Sequence, residues 1–209
     1  MQFNFSMMKK KAKYYILFFV ALFVTFYFTL GKIIPGFGKK EITTIGHVLP
    51  FSFTDQDGKK ITEKDVAGKV FIAEYFFTTC RGICPRMNNN LKKIYERFKN
   101  EKDFLILSHT CNPETDSVAQ LKHYSDSLGV SNDKWIFLTG RKDSLYYQAR
   151  LSYQIDDPKN NLRNIDDDFL HTQFWALVNK KGEVKKIYDG LKESEVNQLI
   201  SDIDEMLKE

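Results

Sequence analysis

Three side chains in this 209-residue sequence have the types and placing to do chemistry: Cys80, Cys84 and His171. The stretch FFTTCRGICPRMNNN sets Cys80-x-x-x-Cys84-Pro85 between an apolar run and the start of a helical pattern. Pro85 suits the first position of a helix, where a missing N–H costs little. Both sulfurs are therefore expected at the positive end of a helix macrodipole, which favours thiolate over thiol. An exposed thiolate pair in a strand-to-helix loop either binds a soft metal or exchanges disulfides. A plain stabilising disulfide is the third reading, but so short a loop holds little chain entropy to remove. His171, in FLHTQFWALVNKKG, lies far away in sequence, and a lone histidine is more often a surface or core residue than a ligand.

The elements that must position these residues follow from periodicity. Val48 to Thr54 reads as a strand, and Asp57-Gly58 as a hairpin turn. Lys69 to Phe77 is nearly continuously apolar, as for a strand buried on both faces. Pro85 to Lys99 carries a helical stripe of Met87, Leu91, Ile94, Tyr95 and Phe98. Phe104 to Leu107 and Trp135 to Leu138 read as strands. Ser117 to Leu128 reads as a helix closed by Gly129. Ser144 to Leu151 is a short helix with Asp143 as candidate cap. Asp156 to Asp168 is a long polar loop. Phe174 to Val178 and Val184 to Tyr188 form a hairpin about Asn179 to Gly182, and an amphipathic helix from Ser194 to Leu207 ends the sequence. Helices between strands require parallel pairs with covered faces, and the final hairpin is expected to add antiparallel edge strands. The fold class is α/β: a three-layer sandwich of thioredoxin-like order.

Ahead of it, Tyr14 to Gly31 is free of charge. At about 1.5 Å per residue it reaches roughly 27 Å, close to the hydrocarbon thickness of a bilayer. Lys9, Lys10, Lys11 and Lys13 precede it and only Lys32 follows closely. The positive-inside rule then keeps the N-terminus in the cytoplasm and exports the rest. A cleaved signal peptide exports the same domain, but the run is longer than a usual signal core and no small-x-small site or nearby Cys follows. A mitochondrial transit peptide fits less well, because only eight residues precede the lysines and none of the basic residues there is Arg. The expected organisation is a basic N-terminus over 1–13, a transmembrane anchor over 14–32, a linker over 33–42 and a folded domain over 43–209. The expected location is a bacterial inner membrane, crossed once, with the C-terminal domain in the periplasm.

Charge narrows the function classes. Of 31 basic residues, five lie in the first 32 positions, where there is no Asp or Glu. Past that point 26 basic residues face 27 acidic ones, which argues against a nucleic-acid binder.

Cys80-x-x-x-Cys84-Pro85 after an apolar strand, then SHTCNPETDSVAQLKHY, then His171 just before the final hairpin together resemble the Sco/SenC family of copper-binding, thioredoxin-fold membrane proteins. The resemblance covers roughly residues 43–207 and the single N-terminal anchor. It implies that Cys80 and Cys84 supply thiolates and His171 an imidazole nitrogen to one copper per domain, Cu(I) or Cu(II). It implies a metallochaperone for the CuA centre of cytochrome c oxidase subunit II or another cuproprotein, served by an upstream copper donor and a thiol reductant. Ordinary thioredoxins have two residues between their cysteines and a proline near the position of His171; here there are three, and LHTQF has no proline.

The sequence also departs from the family. Cys111-Asn112-Pro113 stands where an Asp-Pro is common, although Asp116 remains. Leu170 stands where an Asp often precedes the histidine. Asp166, Asp167 and Asp168 are candidates for a supporting or partner-facing acidic patch, or for a solvated loop. Cys111 reads as a small apolar filler, with a resolving thiol or extra ligand as the alternatives. His109 reads as structural, His47 and His123 as surface residues, and Trp135, Trp175 and the Phe-rich strand as core. The competing function is a thiol–disulfide oxidoreductase, with Cys80 as nucleophile and Cys84 as resolving thiol. A thiol peroxidase fits poorly, because the stretch before Cys80 lacks the proline such a site needs.

Overall fold

The computed structural model describes residues 5–33, 43–156, 170 and 172–209. Two compact units emerge, Met1–Ile42 and Thr43–Glu209. The first holds helix α1, Phe5–Ile33. Its segment Ala12–Ile33 is long and apolar enough to cross a membrane. The hydroxyls of Thr25 and Thr29 donate back to carbonyls of the preceding turn, Ala21 for Thr25, and Phe26 at 2.8 Å for Thr29. Polar groups on an otherwise apolar helix are thus satisfied internally, as a span in lipid would require.

The second unit is built on an eight-stranded sheet in the order β1-β8-β7-β4-β5-β6-β2-β3. The strands are β1 Gly46–His47, β2 Ser52–Asp55, β3 Lys60–Thr62, β4 Val70–Phe76, β5 Phe104–Thr110, β6 Trp135–Thr139, β7 Phe174–Val178 and β8 Glu183–Asp189. β4, β5 and β6 run parallel, and every other pairing is antiparallel. The final hairpin does not supply the edge that was expected. Gly46 and His47 pair with Val184 and Glu183, so β8 is covered by a two-residue strand.

Every residue of β4, β5 and β6 is buried, as the continuous apolar runs predict. Phe71, Ala73 and Tyr75 pack in one cluster with Phe53, Leu107, Leu145, Tyr146, Ala149 and Tyr153. Opposite them, Phe76 stacks on Tyr124 and meets Phe137 edge to face, and Phe98 packs at a tilt on Phe104. The helices of this layer are α2 Cys84–Phe98, α3 Val118–Leu128 and α5 Glu193–Leu207. Ser117 caps α3 through the Gln120 N–H, and Gly129 ends it at φ 64°. The turn at Asp57-Gly58 is present, with Gly58 at φ 81°.

α4 spans Lys142–Tyr147, so Asp143 lies in its first turn and Arg141 holds the cap position. Asp143 accepts from the Ser144 N–H at 2.6 Å and pairs with Arg141. Its carboxylate serves the helix start from inside rather than from the expected cap. Beyond α4 the chain widens into a π-helical turn, Gln148–Ser152, which sequence periodicity does not foresee.

Candidate metal centre

β4 delivers the chain from the centre of the sheet into the loop that carries Cys80, and α2 begins at Cys84. Pro85 is therefore the second helical residue, where its lack of an N–H is tolerated. The loop is tied down on its N-terminal side by a buried carboxylate. Asp116 accepts from the Thr78 hydroxyl at 2.6 Å, from the Thr78 N–H at 3.2 Å and from the Thr110 hydroxyl at 2.5 Å. Asp116 has no solvent exposure. The Asp retained after Asn112-Pro113 thus fixes the residue two positions before Cys80.

The two cysteines are close enough for each thiol to shift the ionisation of the other, but they are not equivalent. Cys80 is half-buried, and partial burial opposes its ionisation. The Cys84 side chain and then the backbone N–H groups of Cys84, Gly82 and Ile83 favour its thiolate and bring its pKa below the ordinary value. Cys84 is buried, and burial, followed by the neighbouring Cys80 thiol, drives its pKa well above the thiol range. The helix-end expectation of two acidified thiols holds for Cys80 and fails for Cys84, because packing under the loop outweighs the dipole.

The segment bearing His171 is approached from both sides. Leu170 is buried, and its N–H donates to the Tyr146 hydroxyl at 3.0 Å. That hydroxyl donates in turn to the Cys111 carbonyl at 2.9 Å. The Thr172 hydroxyl donates to Ile155 O at 3.0 Å. His171 itself lies outside the described residues, as do Asp166, Asp167 and Asp168. Among the described residues no three His, Cys, Asp or Glu side chains converge as a metal cluster. A cleft of about 660 Å³ lies beside the loop, lined by Ile83, Ile155, Thr172, Phe174 and Ile187 among others. A larger cleft of about 790 Å³, between Phe53 and Tyr147, has no thiol or imidazole in its lining.

Cys111 is buried, and its S–H donates to Phe76 O at 3.2 Å. Burial, then the nearby Asp116, push its pKa up to about 12. It is a packed, protonated thiol, as the filler reading expects. His109 is fully buried, stacked on Tyr75 at 5.0 Å between ring centroids, with its pKa lowered to about 4 by burial. His47 is exposed in β1 and His123 is exposed on α3. Trp135 and Trp175 are core residues with no exposure.

Glu74 went unnoticed in the sequence. It sits in β4 with 0% exposure, and Ser108 donates to its Oε1, while Trp135 Nε1 donates to Ser108 at 2.7 Å. Burial raises its pKa to about 8, and its charge would act on Cys84 and Tyr124. The signal was available: it is the one charge inside an otherwise apolar strand. Tyr146, which links the ends of two loops, leaves no comparable mark in the sequence.

The SCO1/SenC family pattern matches residues 40–208. The chain belongs to the SCO1/SenC family. A Sco relative, the SCO1 protein homolog of Bacillus subtilis, is 32% identical over 160 residues, covering 75% of this chain and 80% of its own length. A solved structure of BsSco, described as a member of the Sco family of cytochrome c oxidase assembly proteins in which a disulfide switch was identified, superposes with a TM-score of 0.66 at 30% identity. It covers 79% of this chain and 96% of that one. The structure of Arabidopsis thaliana ScoI with copper bound matches at TM-score 0.60 and 29% identity, over 78% and 98% of the two chains. The thioredoxin-like α/β fold expected from the alternation of strands and helices is the fold of these Sco structures.

Proposed function

We propose that this chain is a membrane-anchored copper carrier that receives copper as its cargo and passes it to the CuA centre of cytochrome c oxidase subunit II or to another cuproprotein. The observation that carries the proposal is the closeness of Cys80 and Cys84 at the head of α2 in a member of the SCO1/SenC family. Two thiolates form a soft donor pair suited to Cu(I), and the imidazole of His171 as third ligand extends the site to Cu(II). Ligand-by-ligand exchange through thiolates would move copper without releasing it. Loading displaces both thiol protons. Cys80, already biased toward thiolate, is the entry ligand, and Cys84 would lose its proton to solvent as the metal binds.

The anchor is the apolar helix within Ala12–Ile33, in a bacterial inner membrane with residues 43–209 in the periplasm. A copper donor and a thiol reductant stand upstream, because an exported dithiol oxidises unless something reduces it. Anaerobic Cu(I) competition tests the site. Tight one-to-one binding, lost in Cys80→Ser, Cys84→Ser and His171→Ala alike, is expected. Full affinity in His171→Ala removes the histidine from the ligand set.

The inequality of the two thiols favours one second reading, a thiol–disulfide oxidoreductase. A half-exposed, acidified Cys80 is a natural nucleophile, and a buried Cys84 a natural resolving thiol. Weak copper binding together with a readily reduced Cys80–Cys84 disulfide decides for it.

A further inference from the structure

The segment that carries the thiol pair is basic, although the chain past residue 32 is balanced in charge. Between Glu74 and Glu96 the sequence holds Arg81, Arg86, Lys92 and Lys93 and no Asp or Glu. Arg81 and Arg86 flank Cys80 and Cys84, and both are exposed. Three other arginines are described, and each is ion-paired: Arg97 with Asp204 at 2.5 Å, Arg141 with Asp143 at 2.5 Å and Arg150 with Asp156 at 2.6 Å. Among the described residues Arg81 and Arg86 alone of the arginines have no carboxylate partner. The loop after β5 offers little compensation. Its Asp116 is buried against Thr78 and Thr110, which leaves Glu114 as its exposed acid. Arg86 also lies in the first turn of α2, where the macrodipole disfavours a cation and no acid accompanies it. A departure from local preference of this kind is expected where function imposes it.

We infer that Arg81 and Arg86 form a cationic docking rim, and that the partner which exchanges copper or electrons with Cys80 and Cys84 meets it with an acidic protein face. The inference rests on the proposed exchange role of the thiols and adds the chemistry of the partner. A protein is favoured over an anionic lipid surface because the arginines flank a thiol pair in the sequence, whose exchange needs an incoming sulfur or metal ligand, and headgroups have neither.

The test uses the reduced full-length chain in uncharged detergent and two decapeptides, one rich in Glu and one rich in Lys. Each carries a single cysteine as its mixed disulfide with 2-thiopyridine. The Cys80 thiolate attacks the peptide sulfur and expels pyridine-2-thione, whose absorbance reports the rate. Cys84 then loses its proton to solvent and displaces the peptide thiolate, closing the Cys80–Cys84 disulfide, so the dithiol gives two electrons to the mixed disulfide. Any effect of the arginines on thiolate content cancels in the ratio of the two rates. At low salt the acidic peptide is expected to react about tenfold faster than the basic one, as electrostatic steering allows. Arg81→Gln/Arg86→Gln should abolish the preference, Arg81→Glu/Arg86→Glu should reverse it, and about 0.5 M salt should level it by screening. Equal rates that charge reversal leaves unchanged overturn the rim while leaving the thiol site standing. No reaction with either peptide, together with no Cu(I) binding, instead overturns the exchange role itself. Flotation of residues 43–209 with phosphatidylglycerol but not phosphatidylcholine vesicles, lost in Arg81→Gln/Arg86→Gln and accompanied by no peptide preference in detergent, assigns the arginines to headgroups and overturns the protein partner.

Discussion

A carboxyl group without solvent must be paired or neutral, and among the described residues no Lys or Arg pairs with Glu74. Burial raises its pKa from the ordinary 4.5 to about 8. Folding therefore retains a proton that the unfolded chain has lost between those two values. The stability linked to Glu74 is complete below about pH 4.5 and is lost as pH rises toward 8, with a slope on the order of 1 kcal/mol per pH unit. His109 has the opposite sign. Its pKa falls from 6.5 to about 4, so its contribution is present above 6.5 and lost as pH falls toward 4. Between pH 4.5 and 6.5 the two oppose each other, and above 6.5 Glu74 acts without that offset. Glu74→Gln keeps an acceptor for Ser108 and cannot ionise. Its urea midpoint should hold steady from pH 6.5 to 8 while that of the wild type declines. Parallel curves for the two proteins across that range would show that Glu74 does not titrate as its burial requires.

Elements whose stability comes from local pattern are legible in the sequence. The stripe Met87, Leu91, Ile94, Tyr95 and Phe98 is buried along α2 as a helical period demands. Ser117 and Gly129 bound α3 by their own chemistry, a side-chain cap and a left-handed residue. What escaped depends on distant contacts. The pairing of Gly46 and His47 with β8 joins segments far apart in the chain, and the π-helical turn after α4 has no period of its own. The same division runs through the site: the spacing of the two cysteines is written in the sequence, whereas their inequality arises from how deeply the fold buries Cys84. The Tyr146 hydroxyl shows how elements meet there, since it joins the Cys111 carbonyl after β5 to the Leu170 N–H before His171. Tyr146→Phe keeps the ring and leaves a buried N–H and a carbonyl without this partner, at a cost of about 1–3 kcal/mol. Urea unfolding should register that loss, and Cu(II) binding should weaken beyond it because the imidazole-bearing segment loses a tether. Unchanged copper spectra in a destabilised variant would confine Tyr146 to a structural role.

At the scale of the whole chain, the two units differ in charge. The N-terminal unit carries Lys9, Lys10, Lys11 and Lys13 ahead of its apolar helix, with Lys32 behind it and Lys39 and Lys40 further on. Orientation in a bilayer follows the side with more Lys and Arg near the helix ends, and acidic residues count little. Replacing Lys9, Lys10, Lys11 and Lys13 by Gln leaves Lys32, Lys39 and Lys40 as the basic residues bordering the span, which reverses the bias. A C-terminal alkaline phosphatase fusion, active only after export, reads the result directly. The wild-type fusion should be active, and the quadruple variant should lose about half of that activity or more as chains insert the other way round. The domain should be untouched by the change, because Thr43–Glu209 is compact in its own right. Its urea midpoint should therefore match the wild type in whichever compartment it is recovered. Full phosphatase activity in the quadruple variant would mean that the lysines do not set the topology, and would remove the charge argument for placing Cys80 and Cys84 outside the cytoplasm.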